Sequence, residues 1–401
     1  MVETRKATHQ QTRTYNQRLV MRTIYDNGPL SRADVARITG LTRTSVSDLV
    51  GELLASGVVR EGERGPSSGG KAPILLNVVN ESRHLIGIDV GESVFSGAVV
   101  NLRGEIRHAV EIPLDGADGE AALELVFRLV ETLIAAAGRP LLGIGVGAPG
   151  LVDGSSGMVV WAVNLDWRDL PLGAILAERF GVPVHVANDS HAAALAEYTF
   201  ASDERRRNVV VVKVGRGIGS GIILDGRLFH GDRFGAGEIG HTTVVEDGAA
   251  CRCGSFGCLE TVASARAIVE RAGHLAARAP DSGLHRKPGA APIDLDDVAA
   301  AFAAGDEIAT TVVGEAASHL GGALAAVVGV LNVERIVLVG EVAIFGRPWL
   351  EAVRSELRRR AFTLLARETE VELGRLGAND LVVLGASALL LTDALGLSLA
   401  R

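Results

Sequence analysis

Apolar positions recur at helical spacing in three short segments near the start of the chain. The first covers residues 15 to 25, the second begins at the N-cap candidate Ser31, and the third runs from Thr42 to Gly57. The short link at residues 39–41 between the second and third helices is typical of a helix-turn-helix, whose second helix enters the DNA major groove. Apolar stretches on either side of the polar turn EGERGPSSGGKA then predict a wing hairpin.

Beyond residue 73 the pattern becomes that of strands. Runs at 85–91, 96–102 and 105–114 predict a meander, which a helix across 119–137 follows. A second round begins at 208–215 and 220–226, with the same spacing between its Val-Gly and Ser-Gly pairs. We therefore interpret the body as duplicated, with two related α/β lobes and a ligand cleft between them.

Length and composition favour several folded units. A chain of 401 residues exceeds one core of roughly 100–200 residues, and 47% hydrophobic with 22% charged residues excludes disorder. The longest apolar run, Leu320 to Leu331, is shorter than the roughly 20 residues of a membrane span, and the N-terminus has no apolar signal segment. We expect a cytoplasmic protein with no membrane partner.

Charge is distributed unevenly along the chain. The formal net charge of −8 argues against a nucleic-acid partner, but residues 1–73 carry eleven basic and seven acidic residues, which leaves the acidic excess to the body. A basic module on an acidic body is typical of a protein with a DNA-binding domain. The alternatives for the basic segment are a solvated helical surface and a helical hairpin that contacts another protein. The candidate DNA contacts are Arg43, Thr44, Ser45, Ser47 and Lys71.

All three cysteines of the chain lie within eight residues. Cys251, Cys253 and Cys258 follow His241, and glycines at 254 and 257 allow a tight loop around one ion. Three sulfurs and one imidazole suit tetrahedral Zn²⁺, and four protein ligands leave no open position, so we predict a structural zinc site. The alternative is a group of buried free thiols.

Carboxylates follow predicted strands where a cleft would open. Asp189 comes after strand 182–187 and is a candidate general base, a hydrogen-bond acceptor for a hydroxyl, or a plain helix cap. Glu238 and Glu260 flank the cysteine loop, and carboxylates gathered in one cleft suit a neutral polyol or sugar. Glycine loops at 89–93 and 215–221 are weak candidates for phosphate binding.

The helix-turn-helix, together with VANDSHAAALAE, GAGEIGH and CRCGSFGCLE, closely resembles the ROK family of repressors, open reading frames and sugar kinases. The resemblance spans nearly the whole chain and implies an α/β, actin/hexokinase-like body of two lobes. It also implies a winged helix-turn-helix domain at 1–80 and a sugar-kinase-like domain at 81–401 with a zinc loop at 241–258. ROK transcriptional repressors of sugar metabolism have this arrangement, and ROK kinases have no such DNA-binding module.

The resemblance assigns roles by motif. Asp189 matches the catalytic aspartate of the kinases, and His241 with the three cysteines matches the zinc site of the family. Residues 147–150 match a further stretch of the sugar site. The sugar-binding residues implied by the resemblance are Asn164, Asn188, Asp189, Glu238, His241 and Glu260.

The chain departs from the kinases where ATP would lie. The kinase motif DxGGT becomes Asp89 to Ser93 with Glu92 at a glycine position, GTGIGGG gains Arg216, and a glycine pair becomes Gly340-Glu341. Each added acid repels a polyphosphate by about 1 kcal/mol or more at short range, whereas Arg216 attracts it. We predict that ATP binding is lost while sugar binding remains, so no residue is assigned a catalytic role.

These inferences predict a sugar-responsive transcriptional regulator, a repressor, that binds a palindromic double-stranded operator as a homo-oligomer, dimer or tetramer. One alternative is an active ATP-dependent ROK sugar kinase with a DNA-binding head. Another is a dimerisation scaffold without an effector, against which the sugar-contact residues weigh.

Overall fold

The structure is a computed structural model that describes residues 8–66, 72–201, 207–287 and 289–395. Its first unit, which we call the head, has three helices and a three-stranded sheet of order β1-β3-β2. The elements of the head are α1 (His9–Asn27), β1 (Leu30–Ser31), α2 (Arg32–Thr39), α3 (Arg43–Ala55), β2 (Val59–Arg64) and β3 (Ile74–Val78). The predicted helices and wing are present, and the pairing of Leu30 with Leu76 adds a strand that the pattern did not predict.

Local chemistry sets the helix boundaries of the head. Ser31 caps α2 through a capping box with Asp34, and Gly40 ends that helix at a φ of 69°, which favours glycine. The side chain of Thr42 accepts a hydrogen bond from the Ser45 amide and begins α3. Ser31 and Thr42 therefore act at the positions predicted for them.

The first lobe of the body is built on a five-stranded sheet of order β11-β7-β4-β5-β6. Its first three strands form an antiparallel meander, and the next two run parallel to β4. A small antiparallel sheet, β10-β9-β8, lies beside it. The elements are β4 (His84–Val90), β5 (Val94–Asn101), β6 (Ile106–Pro113), α4 (Gly119–Ala136), β7 (Leu141–Ala148), β8 (Leu151–Asp153), β9 (Met158–Ala162), β10 (Trp167–Leu170), α5 (Leu172–Phe180) and β11 (Val184–Asn188).

The second lobe repeats this plan in the order β14-β13-β12-β15-β16. Again a meander comes first and two parallel strands follow, which agrees with the internal repeat seen in the sequence. The remaining elements are α6 (Asp189–Ala196), β12 (Val209–Val214), β13 (Ile218–Leu224), β14 (Arg227–Phe229), α7 (Glu260–Ala263), α8 (Ala265–Ala276), α9 (Leu295–Ala303), α10 (Glu307–Leu331), β15 (Arg335–Val339), α11 (Gly346–Arg360), α12 (Thr363–Glu368), β16 (Glu370–Leu373) and α13 (Ala378–Leu395).

Helix α10 is long and apolar enough to cross a membrane by length and composition. About half of its most apolar segment is buried inside the protein. There, Leu320 and Leu324 belong to the core of the second lobe together with Trp349 of α11. Packing against α11 gives the apolar side chains of this helix a partner within the fold, as in the core helix of a globular protein.

The head and the body share one apolar cluster. Met21 and Ile24 of α1 pack in the same cluster as Leu102 of the first lobe and Leu390 and Leu391 of α13. All five side chains are essentially buried. The head is therefore docked against the body through α1 and the end of α13.

Candidate functional site

Asp189 lies where β11 passes into α6. Asn188 caps this helix: its Oδ1 accepts from the amides of Ser190 at 2.9 Å and His191 at 3.2 Å, while its Nδ2 donates to the Gly150 carbonyl at 2.9 Å. Asn188 thus ties the loop at residues 147–150 to the helix start. Its amide group is engaged within the protein, at the start of the helix that carries Asp189.

The Asp189 carboxylate has strong partners of its own. Its Oδ1 accepts from the Ser190 amide at 2.7 Å, and its Oδ2 accepts from Lys213 Nζ at 2.5 Å. Burial alone would raise the pKa of Asp189, but the ammonium of Lys213 and these hydrogen bonds hold it below its ordinary value. Asp189 is therefore ionised and acts as an acceptor.

The glycines of GAGEIGH let this segment pack closely on β13. A Cβ on Gly237 would lie 2.0 Å from the Ser220 carbonyl oxygen, and one on Gly240 would lie 2.0 Å from that of Ile218. Gly237 also has a φ of 98°. The close approach of this backbone fixes Glu238 and His241 beside the second glycine loop.

Glu238 lies within electrostatic range of both Asp189 and Glu260. Burial raises the pKa of Glu238 to about 7, and the charges of Asp189 and Glu260 add to this effect. Glu260, at the start of α7, accepts from the Ile218 amide at 3.0 Å through Oε2. Three of the predicted sugar-contact carboxylates are thus gathered at one place, as recognition of hydroxyl groups requires.

Asn164 also lies in the cleft, but its side chain is held by two charged groups. Its Nδ2 donates to Glu92 Oε1 at 2.6 Å, and its Oδ1 accepts from Arg252 Nη1 at 2.9 Å. Glu92 in turn lies 3.4 Å from Arg216 Nε. The two residues that depart from the kinase glycine loops therefore form an ion pair with each other.

This pairing changes the electrostatic argument made from the sequence. The negative charge of Glu92 is balanced by Arg216, and that of Glu341 lies within electrostatic range of the Lys213 ammonium. Neither acid is therefore an isolated negative charge that would face a polyphosphate. Lys213 and Arg216 thus give cationic partners to the carboxylates around the two glycine loops. A cavity of about 590 Å³ beside Gly340 and Glu341 remains in the second lobe.

His241, Cys251, Cys253 and Cys258 form a compact cluster, with all four ligand atoms within 4.8 Å of one another. The His241 Nδ1 is 3.6 Å from Cys251 Sγ, and the sulfurs of Cys253 and Cys258 are 3.7 Å apart. A tetrahedral ion bound to sulfur at about 2.3 Å spaces its ligands by roughly 3.8 Å, so the cluster fits a metal ion. The other imidazole nitrogen, Nε2, faces Glu238 at 3.8 Å.

The predicted DNA contacts lie at the start of α3. Arg43, Thr44 and Ser47 are exposed, whereas Ser45 is half-buried and its hydroxyl is 2.9 Å from that of Thr42. Arg60 of β2 is a further exposed basic residue in the wing. Lys71, the predicted wing contact, lies outside the described residues.

Two residues at the site were missed by the sequence reasoning, Lys213 and Arg252. Lys213 carried a signal, because it interrupts the apolar run VVVVKVG near the end of a strand that is otherwise buried. Arg252 carried none, since its contact with Asn164 spans 88 positions of the chain.

Comparison with known proteins matches a family model to each of the two units. The ROK family model matches residues 85–393, and a MarR family model matches residues 12–69. The xylose repressor of Caldicellulosiruptor bescii is 32% identical over 391 residues, which cover 96% of this chain and 98% of that protein.

Solved structures give the same relation. A ROK family transcriptional regulator, a homologue of the Escherichia coli MLC protein, matches with a TM-score of 0.82 at 27% identity and covers 96% of this chain and 99% of its own. A ROK family glucokinase from Streptomyces griseus, solved with glucose and AMPPNP, matches with a TM-score of 0.70 at 30% identity and covers 76% of this chain and 98% of its own. These matches confirm the predicted fold class, a two-lobed actin/hexokinase-like α/β body behind a winged helix-turn-helix.

Proposed function

Because this chain belongs to the ROK family, we propose that it is a sugar-responsive, DNA-binding transcriptional repressor that acts in the cytoplasm. The observation that carries the proposal is the joint coverage of head and body by repressor relatives: the xylose repressor match covers 96% of this chain, whereas the glucokinase match covers 76%. The head supplies DNA binding, and the carboxylate cluster of the body supplies sugar binding.

We assign the head to residues 1–80 and the sugar-binding body to residues 81–401. Arg43, Thr44, Ser45 and Ser47 at the start of α3 contact the operator, since the first turn of a recognition helix reaches base edges and phosphates. Lys71 is assigned to the wing on sequence grounds alone. Two heads on a homo-oligomer, dimer or tetramer, match a palindromic operator, and light scattering of the purified protein measures the oligomeric state.

In the body, Asp189, Glu238 and Glu260 accept hydrogen bonds from sugar hydroxyls, and His241 Nε2 faces the same space. Asn164 also hydrogen-bonds the sugar, once the sugar has replaced its contacts with Glu92 and Arg252. Asn188 acts by positioning Asp189, as its cap contacts support. The effector shifts the head between two arrangements only as far as its affinity differs between them.

The test of this function uses the full chain. Duplex DNA selected from a random library provides an operator, and fluorescence anisotropy follows operator binding while a panel of sugars is added. Asp189→Asn should bind the operator as the wild type does but lose the response to sugar, because a neutral amide replaces the charged acceptor. Asp225→Asn, in an exposed turn, is the matched control. Failure to select any DNA, or an unchanged sugar response in Asp189→Asn, would contradict the proposal.

We also propose that His241 Nδ1, Cys251, Cys253 and Cys258 hold a structural Zn²⁺. The donor set and its spacing support zinc, and four protein ligands leave no site for substrate. Bound zinc would brace the segment that carries Glu238 and Glu260. Metal analysis of the purified protein should find one zinc per chain, and Cys253→Ser should lose it and lower the melting temperature. Unchanged zinc content in that variant would contradict the four-ligand assignment.

A second candidate function is that of an ATP-dependent sugar kinase with a DNA-binding head. Asp89 and Asp189 are retained, and the cavity beside Gly340 and Glu341 favours it. The ion pairs of Lys213 and Arg216 at the phosphate end weigh against it. ADP release in the presence of Mg-ATP and a bound sugar decides between the two functions.

A further inference from the structure

Lys213 is the one charged residue of strand β12, whose five other residues are valines and buried. Its side chain is 26% exposed, and its Nζ lies 2.5 Å from Asp189 Oδ2. A long cationic side chain in such a strand is costly to bury unless it is paired. Lys213 is therefore stable in this strand only because carboxylates lie beside its ammonium.

Three carboxylates act on this ammonium. Burial alone would lower the pKa of Lys213, but the negative charges of Asp189, Asp89 and Glu341 raise it above its ordinary value. Lys213 is therefore charged at every physiological pH. Asp89 is the last but one residue of β4, and its carboxylate feels the charges of both Lys213 and Asp189.

The position of Lys213 between the two glycine loops indicates its role. Lys213 stands two residues before Gly215, at the start of the second glycine loop, and Asp89 stands at the start of the first. Next to it, Arg216 of the second loop pairs with Glu92 of the first. The first glycine loop thus carries two carboxylates, and the cations that act on them, Lys213 and Arg216, come from the second lobe.

We propose that Lys213 is a positioning residue that serves as a built-in counter-ion for Asp89 and Asp189. Its ammonium stands where a divalent cation with a phosphoryl group would otherwise neutralise the two aspartates, and it holds Asp189 as a fixed, ionised acceptor for a sugar hydroxyl. This inference rests on the proposed sugar site. It explains how such a site can hold two facing aspartates without a metal or a nucleotide.

The test replaces the ammonium by an apolar group of similar length, in Lys213→Met. Asp89 and Asp189 then face each other without a counter-ion, so they should recruit a divalent cation, for which carboxylate oxygens are preferred ligands. The expected result is a rise in melting temperature on addition of MgCl₂ that neither the wild type nor the exposed-site control Lys287→Met displays. The sugar that binds the wild type should bind Lys213→Met about tenfold more weakly in magnesium-free buffer. Without the ammonium, Asp189 is no longer held as an ionised acceptor, and a charge-assisted acceptor is roughly twice as strong as a neutral one.

Either of two results overturns the inference. The first is sugar affinity in Lys213→Met equal to that of the wild type, as measured by titration calorimetry. The second is a weakened affinity with no response to magnesium, which would mean that Lys213 acts by packing alone. The magnesium response requires no sugar, so it separates failure of this inference from failure of the proposed sugar-sensing function.

A second variant covers the case in which Lys213→Met does not fold. Lys213→Met combined with Asp89→Asn removes one charge of each sign and the repulsion between the aspartates. We expect this double variant to fold and to lack the magnesium response. A double variant as unstable as Lys213→Met alone would overturn the inference, since removing the repulsion would then have had no effect.

Discussion

At the scale of single residues, the cleft is organised by charges that compensate one another across the two glycine loops. Lys213 holds Asp189, and Arg216 holds Glu92, which also binds Asn164. A charged group in such a place is tolerated only because its partner is within reach. Asp89 lies within electrostatic range of the same ammonium, but Lys213 donates its hydrogen bond to Asp189.

Asp89 should make stability depend on pH. Burial raises its pKa in the folded state to about 6, with Lys213 opposing and Asp189 adding to the shift. A carboxyl whose folded pKa is raised contributes stability at low pH that is lost as the pH rises towards that pKa. Asp89→Asn lacks this loss, so its advantage in unfolding free energy over the wild type should grow by about 1–2 kcal/mol between about pH 5 and about pH 7.5.

Urea denaturation at the two pH values measures this difference, and the titrating groups outside the cluster of Asp89, Asp189 and Lys213 cancel because both proteins contain them. Asp225→Asn, in an exposed turn, should have no such advantage at either pH. An advantage of Asp89→Asn that stays constant with pH would mean that the Asp89 carboxyl is not destabilised in the folded protein.

The sequence was sufficient to select three carboxylates that the structure brings together, but not their contacts. Asp189, Glu238 and Glu260 could be chosen because motifs and strand ends identify such carboxylates. The partners of Asn164 and Asp189 could not, because Arg252 and Lys213 come from segments 88 and 24 positions away. Long-range pairing is decided by how the lobes pack, and local patterns carry no record of it.

At the scale of elements, helix α13 connects the site to the head. A Cβ on Gly385 of α13 would lie 1.7 Å from the carbonyl oxygen of Ala192 in α6, the helix that begins at Asp189. Its far end contributes Leu390 and Leu391 to the apolar cluster of the head. The two backbones are in contact, so a movement of α6 would act directly on α13.

Gly385→Ala should force these helices apart. Overpacking of this kind typically costs about 1–3 kcal/mol of unfolding free energy, and here it should also reduce the effect of sugar on operator affinity. Gly329→Ala in the exposed part of α10 is the matched control, since no atom lies within 4 Å of the new methyl group, and it should stabilise by up to about 1 kcal/mol. Denaturation and anisotropy with and without sugar measure both effects. Equal stability of the two variants would exclude the close contact.

The helices and strands themselves were largely predictable from the sequence, but the close contacts between packed helices were not. Alternation and glycine turns gave the meanders, and caps such as Ser31 and Thr42 gave the helices of the head. The close crossing at Gly385 could not be derived, since a glycine inside an apolar helix is equally compatible with a weak helix position. Only the facing carbonyl of Ala192 reveals its role.

At the scale of the whole molecule, the head is held against the body by polar contacts of Tyr25 as well as by apolar packing. Tyr25 of α1 donates a buried hydrogen bond from its hydroxyl to the Leu102 carbonyl at 2.6 Å, and the guanidinium of Arg103 lies 4.0 Å from the centre of its ring. Leu102 and Arg103 belong to the turn between β5 and β6, in the sheet that also carries Asp89. The head thus contacts the same sheet that carries Asp89 at the cleft.

Tyr25→Phe should uncouple the two units while leaving the reading helix α3 intact. The Leu102 carbonyl loses its buried partner, which typically costs about 1–3 kcal/mol, and that cost falls on the docked arrangement of the head. Operator affinity without sugar should therefore change little, whereas the ratio of affinities without and with sugar should move towards one, as anisotropy titrations can measure. Tyr15→Phe on the same helix, at a side chain in an exposed position, should keep the wild-type ratio. An unchanged ratio in Tyr25→Phe would mean that the signal reaches the head through α13 alone, because α13 and this hydrogen bond are two separate routes between body and head.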